Sequence, residues 1–305
     1  MSAASSPARL RGLALIALAA ISWGTTGSVS TLLMSRAGAT PLVVGAARML
    51  VGAVLLAAVA AITSRRPQAV TGEPRRPSGH DVWRWLALGA CMAAFQATYF
   101  TAVTHAGIAV TALVAICSAP LLIAALAPAL LGERLTRRLI AALALGVAGT
   151  ALVVAAPVAG ATAPRPVSGV MLALGAGLAY ALYVVIAKSA VARTSPLVVS
   201  AFTFAIAAVL MAPVLLTPGA LTQLARGWPG LLYLGAVTTA GAYAVYTIGL
   251  RDVTASVAGI ASLMEPLTAT LLGVLLFGER FGLAGWVGAI LLLVALVLVI
   301  AAERR

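Results

Sequence analysis

Ten stretches of about 20 mostly apolar residues follow one another along the 305-residue chain, and they limit its possible folds more than any other feature. A hydrocarbon layer about 30 Å thick is crossed by about 20 residues of α-helix. Charged residues make up only 9% of the chain, so a soluble enzyme is not expected. The sequence predicts an all-α integral membrane protein whose ten transmembrane segments lie near residues 12–34, 41–62, 84–104, 107–131, 137–156, 167–187, 197–217, 229–249, 253–277 and 282–301.

The basic residues predict how these segments are oriented. The net charge of +13 would suggest a nucleic-acid partner in a soluble protein, but here the positions of the charges matter more. When ten segments alternate in direction, fifteen basic residues fall on the side of the termini and four on the other side, with Arg48 left inside a segment. Because basic residues accumulate on the cytoplasmic side, we expect a multi-pass protein of a bacterial-type cytoplasmic (inner) membrane with both termini cytoplasmic and no nucleic-acid partner.

The second half of the chain repeats motifs of the first half. Pro120 and the later Gly132-Glu133-Arg134 recur 146 residues further on as Pro266 and Gly278-Glu279-Arg280. Matches between alanines or leucines arise by chance in such a composition, but a repeated Gly-Glu-Arg at a fixed distance from a proline is much harder to obtain by chance. Two halves of common design are therefore predicted.

Each predicted half contains five segments, and this odd number makes the halves enter the membrane from opposite sides. Such inverted repeats are typical of secondary transporters, whose substrate sites lie near the membrane midplane where the halves meet. The sequence thus predicts two inverted five-helix repeats around a central cavity. The predicted parts are a cytoplasmic N-terminal tail (1–11), a first repeat (12–156), an inter-repeat linker (157–166), a second repeat (167–302) and a cytoplasmic C-terminus (303–305).

Arg48 and Glu265 are the charged residues predicted to lie well within the hydrocarbon region. Such residues are costly there and usually face a partner or a water-filled cavity. Glu265 is interpreted either as a receiver of a substrate ammonium group or coupling proton, or as an acceptor for backbone groups freed by Pro266. Arg48 is interpreted either as a cap on carbonyl groups of a neighbouring helix or as a cation in the outer vestibule.

Polar aromatic residues occur in pairs at three-residue spacing, which places each pair on one helical face. Deep tyrosine hydroxyls need partners, so these residues either line a substrate cavity or form hydrogen bonds between helices. Pro120 and Pro266 are expected to kink their helices, either as pivots or simply as tolerated prolines. The predicted substrate-binding residues are Trp23, Gln96, Tyr99, Tyr180, Tyr183, Tyr243, Tyr246 and Glu265.

Motifs of several enzyme classes are absent from the sequence. The only lysine, Lys188, does not follow a glycine, so there is no Walker A motif, and no HExxH, GxSxG or metal-ligand cluster occurs. The sequence therefore predicts no catalytic residue, no metal and no cofactor. A membrane-embedded enzyme or lipid scramblase is a less favoured alternative to transport.

The motifs resemble those of the EamA-type exporters, the ten-helix branch of the drug/metabolite transporter superfamily. The resemblance covers essentially residues 12–302. Members often carry a lysine eight residues after the tryptophan of the first segment, where this chain has Thr31, and Arg48 has Thr203 as its counterpart. The residues that carry the resemblance are Ser22-Trp23-Gly24, Pro41 with Arg48, Pro120 with Gly132-Glu133-Arg134-Leu135, Ala179-Tyr180 with Lys188, and Pro266 with Gly278-Glu279-Arg280-Phe281.

This resemblance implies export of small metabolites by alternating access, and the aromatic and hydroxyl-bearing helices suggest the YddG-type amino acid exporters as the branch. Our leading hypothesis is export of amino acids or similar zwitterions, with the substrate ammonium on Glu265 and its carboxylate attracted by Arg48. Efflux of hydrophobic cations or drugs is the main alternative. The expected partners are the small-molecule substrate and the lipid bilayer, and the chain is expected to function as a monomer.

Overall fold

The computed structural model of the chain describes residues 6–64, 79–155, 166–277 and 282–303. Within these ranges the regular structure is entirely helical, with one π-helical turn (the π-turn, Ala236–Gly241) between α9 and α10. The α-helices are α1 Ser6–Gly24, α2 Thr26–Ala37, α3 Pro41–Ser64, α4 Gly79–Ala106, α5 Ile108–Leu131, α6 Arg137–Ala155, α7 Pro166–Val191, α8 Pro196–Leu215, α9 Ala220–Gly235, α10 Ala242–Asp252, α11 Ala255–Ala261, α12 Met264–Phe277 and α13 Leu283–Glu303.

These helices form the ten predicted transmembrane segments. Nine helical segments of the described chain are long and apolar enough to cross a membrane, and the 19-residue α6 occupies the place of the remaining one. Three segments are broken: α1 and α2 form the first, α9, the π-turn and α10 the eighth, and α11 and α12 the ninth. The predicted all-α membrane fold is confirmed.

Some predicted limits were too narrow. The first segment runs over Pro7–Ala37 and the eighth over Ala220–Asp252, because helical structure continues beyond the apolar windows into residues with polar side chains. Residues 6–11, predicted as part of a tail, belong to α1, and Glu303 ends α13 instead of starting a tail. The predicted linker 157–166 lies outside the described residues except for Pro166, and Glu279 also lies outside them.

Helix packing follows the predicted relation between the two halves. Corresponding helices meet in pairs, since α3 packs against α8 and α6 against α13. In one half α4 and α5 both pack against α7. Their counterparts in the other half, α10 and α12, both pack against α1. Each helix thus meets the partner that a two-fold relation between inverted halves requires, and the central cavity lies between the halves.

Glycines allow α6 and α13 to cross at very close range. A Cβ atom built on Gly149 would lie 2.7 Å from the carbonyl oxygen of Gly288, and one built on Gly288 would lie 2.6 Å from the carbonyl oxygen of Gly149. Small residues at such crossings let helix backbones approach and gain van der Waals contact in a membrane, where hydrophobic burial gives no driving force between helices.

Gly149→Ala is therefore expected to destabilise the protein by about 1–3 kcal/mol, because an added methyl group must push α6 and α13 apart. The thermal unfolding midpoint of the detergent-solubilised protein measures this effect. Gly175→Ala is the matched control, since the nearest atom to its added Cβ is 4.0 Å away and alanine is the better helix former. Equal midpoints for the two variants would contradict the proposed close crossing.

Candidate functional site

A cavity of about 370 Å³ lies between the two halves, which is on the scale of sites that hold small organic ligands. We call the membrane face at which α1 begins and α13 ends the terminal face. The cavity lining extends to residues at the helix ends on the opposite face, including Met34, Pro41 and Ile108. The cavity therefore opens toward the opposite face.

Five aromatic residues, which we call the aromatic floor, close the cavity on the side of the terminal face: Trp23, Tyr180, Tyr183, Tyr243 and Tyr246. The Trp23 ring centroid lies 4.8 Å from that of Tyr243, 5.3 Å from that of Tyr246 and 6.3 Å from that of Tyr180. The indole Nε1 of Trp23 donates a hydrogen bond to the carbonyl oxygen of Thr238 at 3.1 Å. This bond fixes the ring at the point where α1 ends.

The aromatic floor contains hydroxyl groups that lack good hydrogen bonds. The buried hydroxyls of Tyr180, Tyr183 and Tyr246 have no partner of ordinary geometry among the described residues. The hydroxyl of Tyr246 faces Tyr180 and Ser262 without reaching such geometry. The alternative of hydrogen bonds between helices is therefore not observed for Tyr183, whereas the Tyr180 and Tyr246 hydroxyls face each other across α7 and α10. Tyr183 and Tyr246 are fully buried behind the cavity wall, whereas Tyr180 and Tyr243 line it.

Arg48 of α3 is buried and bound to the π-turn. Its Nε donates to Oγ1 of Thr239 at 3.0 Å, and its Nη2 donates to the carbonyl oxygen and to Oγ1 of Thr238, each at 3.2 Å. The Thr238 and Thr239 hydroxyls donate in turn to the carbonyl oxygen of Leu234. Arg48 thus caps one carbonyl group of a neighbouring segment, as one interpretation of the sequence held, and it also lines the cavity.

Glu265 stands in the first turn of α12, just after the break in the ninth segment. In a continuous α-helix the carbonyl oxygen of Ser262 would accept from residue 266, but Pro266 has no N–H. The backbone N–H of Glu265 donates to this carbonyl instead, at 3.0 Å. Its carboxylate makes no hydrogen bond or ion pair with another described residue, and the side chain lines the cavity. The alternative in which this carboxylate accepts from freed backbone groups is not observed.

The other predicted residues lie around the same space. Gln96 and Tyr99 of α4 line the cavity, and the amide nitrogen of Gln96 contacts the sulfur of Met49 at 3.5 Å. Pro120 and Pro266 also line the cavity but differ in setting, because α5 continues through Pro120 whereas α12 begins two residues before Pro266.

Sequence reasoning missed several lining residues on α2. Gly27, Ser30 and Met34 line the cavity and follow Trp23 at intervals of four, seven and eleven residues. This spacing places them on one helical face with Trp23, and it could have indicated from the sequence that they line the same cavity. The π-turn that holds Arg48 has no comparable signal in the sequence. No group of three metal-ligating side chains occurs within the described ranges.

Comparison with known proteins identifies the family to which this chain belongs. The sequence profile of the EamA-like transporter family matches residues 10–155 and again residues 167–301. The chain belongs to the EamA-like transporter family. It is therefore a multi-pass membrane transporter of the drug/metabolite transporter superfamily, as the resemblance of its motifs indicated.

Individual relatives of this EamA-like transporter cover most of its length. It is 36% identical over 301 residues to the uncharacterized transporter YwfM of Bacillus subtilis (strain 168), covering 95% of the chain and 94% of that protein. It is 29% identical over 197 residues to an uncharacterized transporter of Archaeoglobus fulgidus, covering 65% of the chain and 68% of that protein. A solved structure described only as a crystal structure of a protein superposes with a TM-score of 0.77 over 99% of both chains at 24% identity, which shows the shared fold.

Proposed function

We propose that this EamA-like transporter exports amino acids or similar zwitterions across the cytoplasmic membrane by alternating access. The observation that carries the proposal is a pair of opposite charges that line the same cavity. The carboxylate of Glu265 and the guanidinium of Arg48 both line the cavity, and no ion pair joins them. A zwitterion presents one charge to each of these groups.

The roles of the two charges follow from their surroundings. The Glu265 carboxylate makes no hydrogen bond or ion pair with a described residue, and the charge of Arg48 acts on it from beyond ion-pair distance, so a substrate ammonium group supplies the direct opposite charge that a partly desolvated carboxylate needs. Arg48 is held by Thr238 and Thr239 through Nε and Nη2, which leaves Nη1 without a bond to a described residue. This nitrogen is available to a substrate carboxylate.

The aromatic floor suits the rest of such a substrate. Aromatic rings provide large apolar surfaces at little cost in conformational entropy, and the tyrosine hydroxyls add donors that need partners. Trp23, Tyr180 and Tyr243 line the cavity within one cluster of ring contacts. These features favour amino acids with apolar or aromatic side chains and support assignment to the YddG-type branch of the family.

The proposal includes the orientation predicted from the basic residues. The terminal face is then cytoplasmic, and the cavity opens to the outside of the cell. The proposed partners are the substrate and the lipid bilayer, and the proposed functional unit is the monomer. Membership in a transporter family favours transport over a membrane-embedded enzyme or lipid scramblase.

Efflux of hydrophobic cations is the second candidate, and a specific observation favours it. Three hydrogen bonds to the π-turn already engage Arg48, whereas Glu265 makes no hydrogen bond or ion pair with a described residue, and apolar and aromatic residues dominate the cavity wall. A site with one free carboxylate among aromatic rings suits an organic cation, since both groups attract positive charge.

Counterflow in proteoliposomes separates the two candidates. Liposomes loaded with one unlabelled compound from a panel of amino acids are expected to accumulate the same labelled compound, and protein-free liposomes are not. If the substrate is a zwitterion, an excess of a hydrophobic cation in the assay is expected to inhibit this exchange only weakly. Competition by such cations without exchange of any amino acid would contradict the zwitterion proposal and favour cation efflux.

A further inference from the structure

Three helices converge on one short segment at the terminal face. Residues 250–256 comprise the end of α10, the start of α11 and the two residues between them, and they receive contacts from Arg11 of α1, Lys188 of α7 and Glu133, which follows α5. We call the contacts that Glu133 and Lys188 make with this segment the latch. The latch lies between the aromatic floor and the terminal face, and it closes the protein at that face.

Glu133 contributes the first part of the latch. α5 ends at Leu131, and the φ of 68° at its capping residue Gly132 turns the chain just before Glu133. The Glu133 carboxylate accepts hydrogen bonds from the backbone N–H groups of Ala255 and Ser256, at 2.6 and 3.1 Å, and from Oγ of Ser256 at 2.7 Å. It thereby satisfies N–H groups that the first turn of α11 leaves without helical acceptors, and it ties the first half to the second.

Lys188 of α7 contributes the second part. Its ammonium group donates to the carbonyl oxygens of Leu250 at 2.8 Å, Arg251 at 3.2 Å and Val253 at 2.5 Å. These carbonyls belong to the C-terminal end of α10, where cations are favourable. All six bonds of the latch have a charged partner, a class of hydrogen bond about twice as strong as neutral ones.

The first half of the chain lacks the cation of this latch. Lys188 lies eight residues after Tyr180, and the residue eight positions after the corresponding Trp23 is Thr31. Thr31 is exposed, and among the described residues its hydroxyl bonds only to the carbonyl oxygen of Gly27 in its own helix. The residues that correspond to Leu250, Arg251 and Val253 by the 146-residue repeat are Thr104, His105 and Gly107, at the opposite face.

We propose that the latch biases this transporter toward the state that is closed at the terminal face, because the closure of the opposite face has no lysine to cap the end of α4. The inference rests on the proposed alternating access and assigns Lys188 and Glu133 to its regulation. The two closed states of an inverted repeat are equivalent when the halves are identical, so a charge present in one half alone shifts the equilibrium between them.

Distances between paired spin labels test the proposal without any substrate. In a Cys91→Ala/Cys117→Ala background in lipid nanodiscs, Arg134→Cys with Arg251→Cys reports on the terminal face. Ser35→Cys with Thr104→Cys reports on the opposite face. Lys188→Met is expected to raise the ratio of terminal-face-open to terminal-face-closed molecules by about tenfold or more, since bonds to a charged group are lost from one state only. The terminal-face distance then lengthens and the opposite-face distance shortens.

Two further variants keep the test decisive. Thr31→Lys adds a cation that can cap the end of α4, so it is expected to shift both distances in the same direction as Lys188→Met without removing any native contact. Arg193→Met is the matched control, because it removes a cation five residues beyond Lys188 whose guanidinium makes no hydrogen bond or ion pair with a described residue. Unchanged distances in both Lys188→Met and Thr31→Lys, or an equal shift in Arg193→Met, would overturn the latch. A failed counterflow assay with shifted distances would instead refute the proposed substrate alone.

Discussion

Exchange of a zwitterionic substrate is expected to fall by about two orders of magnitude or more when Glu265 is replaced by glutamine. Removing one member of a desolvated charge pair typically costs about 2–5 kcal/mol, and about 1.4 kcal/mol corresponds to a factor of ten. Glutamine keeps nearly the same size, so the cavity retains its shape while the substrate ammonium group loses its counter-charge. Initial counterflow rates at equal amounts of reconstituted protein measure the effect.

The matched control removes a carboxylate that lies away from the cavity. Asp81→Asn changes an acidic residue in the first turn of α4, where its carboxylate pairs with Arg84 at 3.5 Å. This variant is expected to exchange substrate at close to the original rate, because a surface pair contributes at most about 1 kcal/mol. Undiminished exchange in Glu265→Gln would contradict the proposed contact between Glu265 and the substrate.

The transmembrane fold was predictable because a bilayer imposes strong and simple rules on a sequence. Helices that cross it need about 20 apolar residues, and ten such stretches were visible without any structure. The repeated Gly-Glu-Arg after Pro120 and Pro266 then indicated two inverted halves, and the observed pairing of α3 with α8 and of α6 with α13 follows that relation.

The breaks within helices were not predictable from the same pattern. α1 ends at Gly24 and α11 at Ala261, although both segments are apolar enough to cross a membrane, and of these two breaks only the second lies beside a proline, Pro266, that was expected to kink its helix. Hydropathy records whether a side chain suits lipid, and it does not record which backbone groups find other partners. The π-turn is a further example. The sequence around Thr238 and Thr239 is compatible with an ordinary α-helix, and only the structure shows that Arg48 binds their hydroxyls.

The lining of the candidate cavity was predictable in part, since Tyr183 and Tyr246 lie behind its wall, and the roles of the predicted residues stay predictions. Arg48 and Glu265 were singled out because charge is costly in a membrane, and both line the cavity. Their partners depend on helices that are distant in sequence, as Arg48 and Thr239 are 191 residues apart. The latch was missed for the same reason, because Glu133 meets Ala255 across 122 residues and no local pattern connects them.

Arg48→Met is expected to distinguish the two candidate substrates most clearly. If the substrate is a zwitterion, its carboxylate loses the guanidinium, and counterflow is expected to fall by about tenfold or more, in the same direction as in Glu265→Gln. If the substrate is an organic cation, the loss of a nearby positive charge is expected to increase its binding, while Glu265→Gln still abolishes it.

Arg48 also holds the π-turn, so a lower rate in Arg48→Met needs a structural control. Thr239→Val removes the hydroxyl that accepts from Nε of Arg48 at 3.0 Å but leaves the guanidinium in place. If charge is what matters, Thr239→Val is expected to retain most of the exchange, and Arg48→Lys, which keeps the charge, is expected to exchange faster than Arg48→Met. Equal losses in Thr239→Val and Arg48→Met would assign Arg48 to the support of the π-turn, because only that role depends on the bond and not on the charge.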